Sequence, residues 1–233
     1  MRDFVEGWKA AEAAIAHENR VLLFGPPGTG KSHAASNFGE PKNGVVSVTI
    51  TQGTPGETLT GHYVPGEDGG WHWMDGHGTH AWRGGMRLVL NEIDHCVGDG
   101  TADALFAILD DESGARLTLP KPDHETLVPA EGFQAICTMN PNPEILMDAL
   151  QDRLCVSVYI NRPHESALEA LPQEMRDLAK AKCGRGVTLR QLFRFARLRN
   201  LIEPLDAANL IFGPGMGEGI MQAIAVKATR KSS

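Results

Sequence analysis

A glycine-rich segment near the N-terminus has the residue types and spacing that bind phosphate. It reads Gly25-Pro26-Pro27-Gly28-Thr29-Gly30-Lys31-Ser32 and fits the pattern G-x-x-x-x-G-K-[ST]. Glycines let the backbone curl so that successive N–H groups point at phosphate oxygens, and a helix starting near Lys31 adds the positive end of its dipole. The segment predicts an ATP site in which Lys31 reaches the β- and γ-phosphates and the Ser32 hydroxyl binds Mg²⁺. A chance glycine turn is the alternative.

A second group of polar residues follows an apolar run, Leu88-Val89-Leu90-Asn91-Glu92-Ile93-Asp94. The run looks like a Walker B strand, which ends in an acidic residue near Mg²⁺ and then a glutamate that polarises the attacking water. Glu92 fits the glutamate. Asn91 stands where Asp is usual, and its neutral amide serves the metal through a bound water without adding charge. Asp94 is a further candidate, also through water. An ordinary strand end with exposed polar residues is the alternative.

The elements that must position these residues alternate between short apolar runs and helical patterns. Such alternation indicates a three-layer αβα fold around a parallel sheet. Residues 4–17 and 101–110 have helical spacing, and the pattern turns helical and charged after Pro163. We therefore expect a core domain over residues 1–161 and a small helical domain over residues 162–233. Five strands are expected, at 21–24, 45–50, 88–90, 133–138 and 154–160.

Composition limits the possible functions and locations. The formal net charge is −7, which argues against a general duplex-DNA binder, although a local basic pore is compatible with it. No apolar run has the roughly 18 residues of a membrane helix, and the first six residues have no signal-peptide core, so a cytoplasmic protein without membrane contact is expected. The four cysteines, Cys96, Cys137, Cys155 and Cys183, have no metal-ligand or redox spacing.

The ordered set of motifs resembles the MoxR-like, dynein-related branch of the AAA+ ATPases over most of the chain. Beyond the two motifs above, Glu57 to Tyr63 looks like the branch's segment after its second strand. A hairpin inserted into a helix is expected at about 71–82, and a second hairpin at about 116–128. The remaining matches are Thr138-Met139-Asn140-Pro141, Ala149-Leu150-Gln151-Asp152-Arg153-Leu154 and Thr188-Leu189-Arg190.

The resemblance implies roles for individual residues. Asn140 would be the sensor-1 residue, Arg153 the arginine that reaches a neighbouring subunit, and Arg190 the sensor-2 arginine of a lid over the nucleotide. Each has an ordinary alternative: an Asn-Pro turn for Asn140, a surface arginine for Arg153, and one arginine of a solvated helix face for Arg190. The neutral Asn91 departs from the branch's pattern. The inserted hairpin departs from it at Gly76-His77-Gly78, and so does the glycine-rich stretch at 213–219.

Histidines and tryptophans concentrate in the first inserted hairpin and in the segment before it. His62, His72, His77 and His80 accompany Trp71, Trp73 and Trp82. Histidine is a frequent zinc ligand, but no spacing here matches a structural zinc site. An exposed loop whose aromatic side chains touch a client is the other interpretation.

The resemblance implies an ATP-hydrolysing, Mg²⁺-dependent ring, most simply a hexamer, that remodels or activates a partner complex as a MoxR-like chaperone. A client or an adaptor with a von Willebrand A domain would be its partner. Two alternatives stay open. The neutral Asn91 is compatible with a nucleotide-dependent assembly module that hydrolyses weakly. A DNA-acting AAA+ loader or motor is opposed by the acidic balance.

Overall fold

The computed structural model describes residues 4–96, 100–110 and 114–230, with side chains as far as residue 225. The ends of the two expected domains, residues 1–3 and 231–233, lie outside these ranges. The chain divides into two compact units. One comprises Met1–Phe24 and Lys31–Tyr159, and the other comprises Gly25–Gly30 and Ile160–Ser233. The division after Tyr159 lies beside the domain boundary expected at residue 161.

The described strands and helices follow one another along the chain. The strands are β1 (Val5–Glu6), β2 (Arg20–Phe24), β3 (Val45–Thr49), β4 (Gly61–Pro65), β5 (Trp71–Asp75), β6 (Arg87–Asn91), β7 (Leu117–Thr118), β8 (Thr126–Leu127), β9 (Gln134–Met139) and β10 (Ser157–Tyr159). The helices of the first unit are α1 (Trp8–His17), α2 (Lys31–Asn37), α3 (Glu57–Thr60), α4 (His77–Gly84), α5 (Thr101–Ile108) and α6 (Asp148–Arg153).

The first unit is built on a parallel sheet with the strand order β1-β10-β2-β9-β6-β3. The sheet has six strands where the sequence predicts five, because Val5 and Glu6 pair in parallel with Val158 and Tyr159. Both side chains of this short edge strand are exposed, so it has no apolar pattern that would separate it from the helix expected at 4–17. That helix, α1, begins instead at Trp8.

The central strands are apolar because both faces of the sheet are covered. In β2 only Arg20 is partly exposed, and β9 is buried from Ala135 to Met139. β9 pairs with β2 on one side and with β6 on the other. Since parallel strands end at one edge, the residues that follow β9 and β6 emerge side by side.

Two small hairpins leave the main sheet. The first pairs β4 with β5, and the second pairs β7 with β8. The second lies within the expected range 116–128. The first differs from the expected 71–82, because its strands lie at 61–65 and 71–75 while residues 77–84 form α4. Trp82 belongs to this helix and is fully buried, packed edge-on against Phe133 at 5.8 Å between ring centres.

The second unit is helical and has its own apolar core around Met175, Leu192 and Phe195. Its helices are α7 (Glu165–Glu169), α8 (Gln173–Lys182), α9 (Leu189–Leu198), α10 (Pro204–Phe212) and α11 (Pro214–Arg230). The glycine-rich stretch at 213–219 opens α11. A Cβ at Gly217 would stand 2.4 Å from the Asn209 Oδ1 atom on α10, so glycine there permits close packing of the two helices.

No helix in the described part of the chain is both long enough and apolar enough to cross a bilayer.

Candidate functional site

Lys31 and Asn140 meet at the carboxyl edge of the sheet. Lys31 is the first residue of α2, and Asn140 follows directly after β9. The Lys31 Nζ atom donates a hydrogen bond of 3.2 Å to the Asn140 Oδ1 atom. The expected phosphate-binding lysine and the expected sensor-1 amide therefore lie within one hydrogen bond of each other.

The Lys31 ammonium is held in a poorly hydrated position. The residue is only 6 % exposed. Burial lowers its pKa from 10.5 to about 8, and the negative charge of Asp94 opposes the shift in part. A buried cation of this kind attracts an anionic group more strongly than an exposed one does, because fewer waters screen its charge.

Asn91 lies in a row of polar side chains that crosses β3, β6 and β9 and reaches α2. Its Nδ2 atom donates to the Ser47 Oγ atom at 3.1 Å, and its Oδ1 atom accepts from the Thr138 hydroxyl at 3.1 Å. The Ser32 hydroxyl lies 3.5 Å from that of Thr138. Because Thr138 gives its proton to Asn91, Ser32 is the donor in this long contact. The two expected Mg²⁺ partners, Ser32 and Asn91, are thus bridged by one hydroxyl group.

Sequence reasoning assigned no role to Thr138 or Ser47. Thr138 is paired with Asn91 in the register of the parallel sheet, and Ser47 lies on β3, the neighbour of β6 on its other side. The available signal was the polar side chain of Thr138, two residues before Asn140, in a strand whose other buried residues are apolar. Its contact with Asn91 depends on which strands are neighbours, which the motif does not encode.

Glu92 stands at a sharp turn of the backbone. Its φ of 58° lies in the left-handed region, which is costly for a residue with a side chain and is concentrated at functional sites. The turn places the half-exposed carboxylate at the start of a single 3₁₀ turn, Ile93–His95. The Glu92 Oε2 atom lies 3.6 Å from the His95 Nδ1 atom. Glu92 is accessible to water, as a base that polarises water must be.

Asp94 is the buried carboxylate of this edge. Its side chain is 10 % exposed, and its Oδ1 atom has no hydrogen-bond partner among the described residues. Mg²⁺ prefers oxygen ligands and keeps several of its waters. The Ser32 hydroxyl, the Asn91 amide oxygen and the Asp94 carboxylate are oxygen groups of the right kind, so the residues present fit a magnesium ion.

The glycine-rich loop, Gly25–Gly30, belongs to the second unit and packs on the start of α9. The Leu189 N–H donates to the Gly28 carbonyl oxygen at 3.0 Å. Gly28 has a φ of +77°, and a Cβ there would lie 2.3 Å from the Thr188 Cβ atom. Glycine at position 28 is therefore required both by its backbone angle and by the approach of Thr188.

A capping box fixes the start of α9. The Thr188 hydroxyl oxygen accepts from the Gln191 N–H at 3.1 Å, and the Gln191 Oε1 atom accepts from the Thr188 N–H at 2.9 Å. Arg190, the expected sensor-2 residue, is exposed in the first turn of this helix. Local structure therefore explains the threonine of the Thr-Leu-Arg motif, since this residue caps the helix that carries the arginine.

Arg153 ends α6 and is held by its own unit. Its Nε atom donates to the Phe106 carbonyl oxygen at 2.9 Å, and its Nη1 atom to the Ala149 carbonyl oxygen at 3.0 Å. Its Nη2 atom lies 3.5 Å from the Asp110 Oδ1 atom. Arg153 also lines an open groove of about 600 Å³, together with Arg20 and Asp152. These contacts engage all three nitrogens of the guanidinium with groups of its own unit, and the open groove lies beside them.

The two hairpins are joined by charged side chains. Arg83 on α4 contacts Asp75 of the first hairpin at 2.8 Å and Glu125 of the second at 2.7 Å. Lys121 pairs with Glu125 at 2.6 Å. Arg83 and Lys121 together lower the pKa of Glu125 to about 2. Trp71 remains 68 % exposed on the first hairpin.

The histidines of this region form no metal centre in the structure. Within residues 4–96, 100–110 and 114–230, no group of three or more His, Cys, Asp or Glu side chains is arranged to hold a metal ion. The His72 Nε2 atom instead contacts the Asp68 Oδ1 atom at 2.8 Å.

Comparison with known proteins identifies the family. The model of the AAA domain, dynein-related subfamily, matches residues 20–154, which extend from the start of β2 to just beyond α6 and include the glycine-rich loop and the Walker B strand. A solved structure named as a "putative ATPase" from Cytophaga hutchinsonii ATCC 33406 is similar at 18 % identity and a TM-score of 0.48. The similarity covers 72 % of this chain and 48 % of that one, so the present chain spans about half of its length. On the match of its own sequence to the family model, the chain belongs to the AAA domain family, in the dynein-related subfamily.

Proposed function

We propose that the chain binds ATP with Mg²⁺ and hydrolyses the bond between the β- and γ-phosphates. The observation that carries the proposal is the row of polar groups at the carboxyl edge of the sheet. There Lys31 bonds Asn140, and Thr138 bridges Asn91 and Ser32. The family to which the chain belongs has this loop and this strand end, and its members are nucleoside triphosphatases.

In this proposal each side chain has one task. Lys31 binds the β- and γ-phosphates with a weakly hydrated ammonium. Ser32 and Asn91 hold the magnesium ion, which neutralises phosphate charge when it is bound. Glu92 accepts a proton from the attacking water and orients it. Asn140 positions the water and the γ-phosphate from the neighbouring strand end.

We further propose a homo-oligomeric ring, with six members as the simplest form. Arg153 would stabilise transition-state charge at the nucleotide of the next subunit, a role worth about 10³–10⁵-fold in rate for arginines in related phosphoryl transfer. Its position beside an open groove supports this role. Arg190 would act on the phosphates of its own subunit. Head-to-tail contacts of this kind close into rings when the rotation permits.

The work done by hydrolysis is proposed to be the remodelling of a partner protein complex in the cytoplasm, as in MoxR-like chaperones. The exposed Trp71 and the two joined hairpins are the proposed contact surface for a client or for an adaptor with a von Willebrand A domain. Large aromatic side chains contribute strongly to protein contacts.

The proposal is tested by ATP turnover and by mixing of variants. Purified chain should hydrolyse ATP with Mg²⁺ and form a large assembly with ATP present. Arg153→Ala and Glu92→Gln, each inactive alone, should regain activity when mixed, because a mixed ring contains interfaces with both residues intact. Arg185→Ala, an exposed arginine of the second unit, is the control. A fully active monomer would contradict the ring, and absent turnover would contradict the ATPase.

The neutral Asn91 favours a second candidate, an assembly module that binds ATP and hydrolyses it weakly. The two candidates differ in one measurement. A chain that binds Mg·ATP and oligomerises, yet shows no turnover with or without client, is the assembly module. The net charge of −7 opposes a DNA-acting role. Salt-dependent DNA binding would revive that role.

A further inference from the structure

Asp94 is a buried carboxylate whose local contacts do not account for it. It lies in the 3₁₀ turn after Glu92 with 10 % of its side chain exposed. Its Oδ2 atom lies 3.7 Å from the His95 Nε2 atom, which is beyond hydrogen-bond distance. Its Oδ1 atom has no hydrogen-bond partner within the part of the chain that the structure describes.

A carboxylate in such a position is costly unless a cation balances it. Buried polar groups are nearly always hydrogen-bonded, and buried charges are paired or coordinate metals. Lys31 balances part of this charge, but no described group donates a hydrogen bond to the Oδ1 atom. The carboxylate therefore calls for a further partner outside the described side chains. The neighbouring strand end explains why a carboxylate would be needed here. Asn91, the residue expected to bring a negative charge to the magnesium site, is neutral.

The charge of Asp94 acts on the phosphate-binding region. It raises the pKa of Lys31 against the larger lowering caused by burial, so its field reaches the ammonium that faces Asn140. Asn91, Ser32 and Lys31 are connected through Thr138 and Asn140. Asp94 thus belongs electrostatically to the same site, from a turn three residues beyond Asn91.

We propose that Asp94 supplies the carboxylate that this magnesium site lacks at position 91. The inference rests on the proposed ATP- and Mg²⁺-binding function and adds a residue to it. Asp94 acts as a positioning residue: its carboxylate accepts a hydrogen bond from a water of the hydrated ion, while Ser32 provides the direct protein oxygen. A water-mediated role suits Mg²⁺, which gives up its waters reluctantly.

The test measures how much Mg²⁺ strengthens nucleotide binding, so it does not depend on catalysis. The dissociation constant of a non-hydrolysable ATP analogue is measured with Mg²⁺ and with EDTA at about pH 6.5, where Lys31 carries its proton because its pKa is about 8. The proteins are the wild type, Asp94→Asn, the double variant Asn91→Asp/Asp94→Asn, and the control Asp103→Asn. Asp103 is exposed in the first turn of α5, and its variant should match the wild type.

We expect Asp94→Asn to lose about 10-fold to 100-fold of the Mg²⁺-dependent gain in affinity, the range found for residues that orient metal ligands. Its affinity in EDTA should stay near that of the wild type. The double variant should regain most of the loss, because it moves the carboxylate back to position 91. Asp94→Ser serves the same comparison if Asp94→Asn folds poorly.

Three outcomes would overturn the inference. The first is an unchanged Mg²⁺-dependent gain in Asp94→Asn. The second is an equal loss in Mg²⁺ and in EDTA, which would make Asp94 only a counter-ion of Lys31. The third is a double variant as weak as Asp94→Asn. A wild type that binds no nucleotide would refute the proposed function itself, which is a different result from any of these.

Discussion

The Lys31 Nζ atom donates to the Asn140 Oδ1 atom at 3.2 Å, which joins the first residue of α2 to the first residue beyond β9. The two positions are far apart in sequence and are brought together because β2 and β9 are neighbours in the sheet. This contact orients the ammonium of a nearly buried lysine. A γ-phosphate that binds here would contact two side chains that already hold each other in position, which lowers the conformational entropy lost on binding.

Replacing Lys31 by alanine should abolish ATP binding. The side chain supplies a buried positive charge directly after the glycine-rich loop in the sequence, and charge-assisted contacts to phosphate are among the strongest available. Equilibrium binding of a fluorescent ATP analogue measures the effect. Lys42→Ala, at an exposed position between α2 and β3, is the matched control and should bind normally. Tight binding by Lys31→Ala would show that the loop does not rely on this residue.

Replacing Asn140 by alanine should slow hydrolysis by roughly 10²-fold, the usual effect of removing one oriented polar group from a reacting site. ATP binding should change much less, since Lys31 and the loop remain. Single-turnover hydrolysis and equilibrium binding separate the two effects. Asn142→Ala is the control, because the Asn142 amide caps only the turn at Pro143. A loss of binding as large as the loss of rate would make Asn140 a binding residue.

Glu92→Gln should keep ATP bound and lower single-turnover hydrolysis by about 10²–10⁴-fold, the typical contribution of a general base. Glutamine keeps the shape of the side chain and removes its charge. Glu169→Gln, at an exposed position ending α7, controls for charge. An unchanged rate would remove Glu92 from catalysis.

ATP affinity should fall as the pH rises through about 8. Burial lowers the pKa of Lys31 to about 8, so the free protein loses the phosphate-binding charge above that pH. The fall should approach about tenfold per pH unit well above this value. Binding measured from about pH 6.5 to 9.5 tests it, with Lys31→Arg as the control, because arginine keeps its charge throughout. Equal pH dependence of both proteins would assign the effect to another group.

The lowered pKa of Lys31 affects stability in the opposite direction: the free energy of unfolding should rise with pH where ATP affinity falls. Between pH 8 and 10.5 the folded protein has released the Lys31 proton, while the unfolded chain keeps it because an exposed lysine has its ordinary pKa of 10.5. The unfolded state binds more protons, so this group makes the free energy of unfolding rise with pH across that window. Denaturant titrations of wild type and Lys31→Met at about pH 7.5 and 9.5 isolate the contribution. A wild-type difference between the two pH values no larger than that of Lys31→Met would contradict it.

The sequence predicted those features that depend on local pattern. The buried runs of β2, β6 and β9 and the phosphate loop between β2 and α2 lie where their apolar and glycine patterns indicate. The expected position of the first hairpin was wrong, because its Gly, His and Trp residues give no clear alternation of apolar and polar positions. The buried Trp82 belongs to α4 and not to the hairpin. Proline at the first position of α11 and packing against α10 explain why a glycine-rich stretch is helical.

The candidate site was predicted as residues and not as contacts. Glu92, Asn91, Asn140 and Lys31 follow from motifs, since each stands at the end of a strand or the start of a helix. The bridge from Asn91 through Thr138 to Ser32 depends on the order β2-β9-β6, which no single segment encodes. The orphaned oxygen of Asp94 likewise depends on burial by several elements.

Asn91→Asp should change ATP turnover little, by less than about threefold, which is close to the free-energy scale of an ordinary surface change. The surroundings can accept a carboxylate. One oxygen would keep the bond from the Thr138 hydroxyl, and the other would replace the amide nitrogen that now faces the Ser47 hydroxyl at 3.1 Å, which can rotate to donate. Mg²⁺ needs few direct protein ligands when phosphates supply most of the charge.

The background in which Asn91→Asp is made decides between two explanations for its small effect. If Asp94 already supplies the carboxylate, the substitution should be nearly silent in the wild type and should restore turnover in Asp94→Asn. If the metal site needs no carboxylate, it should be silent in both. A degenerate site predicts a third result, in which Asn91→Asp raises turnover sharply in the wild type. Steady-state rates of the four proteins at saturating Mg²⁺ and at limiting Mg²⁺ distinguish these cases, because a carboxylate that acts through the metal changes the Mg²⁺ requirement more than the maximal rate. A large increase in the wild type would contradict this prediction and favour the weakly hydrolysing assembly module.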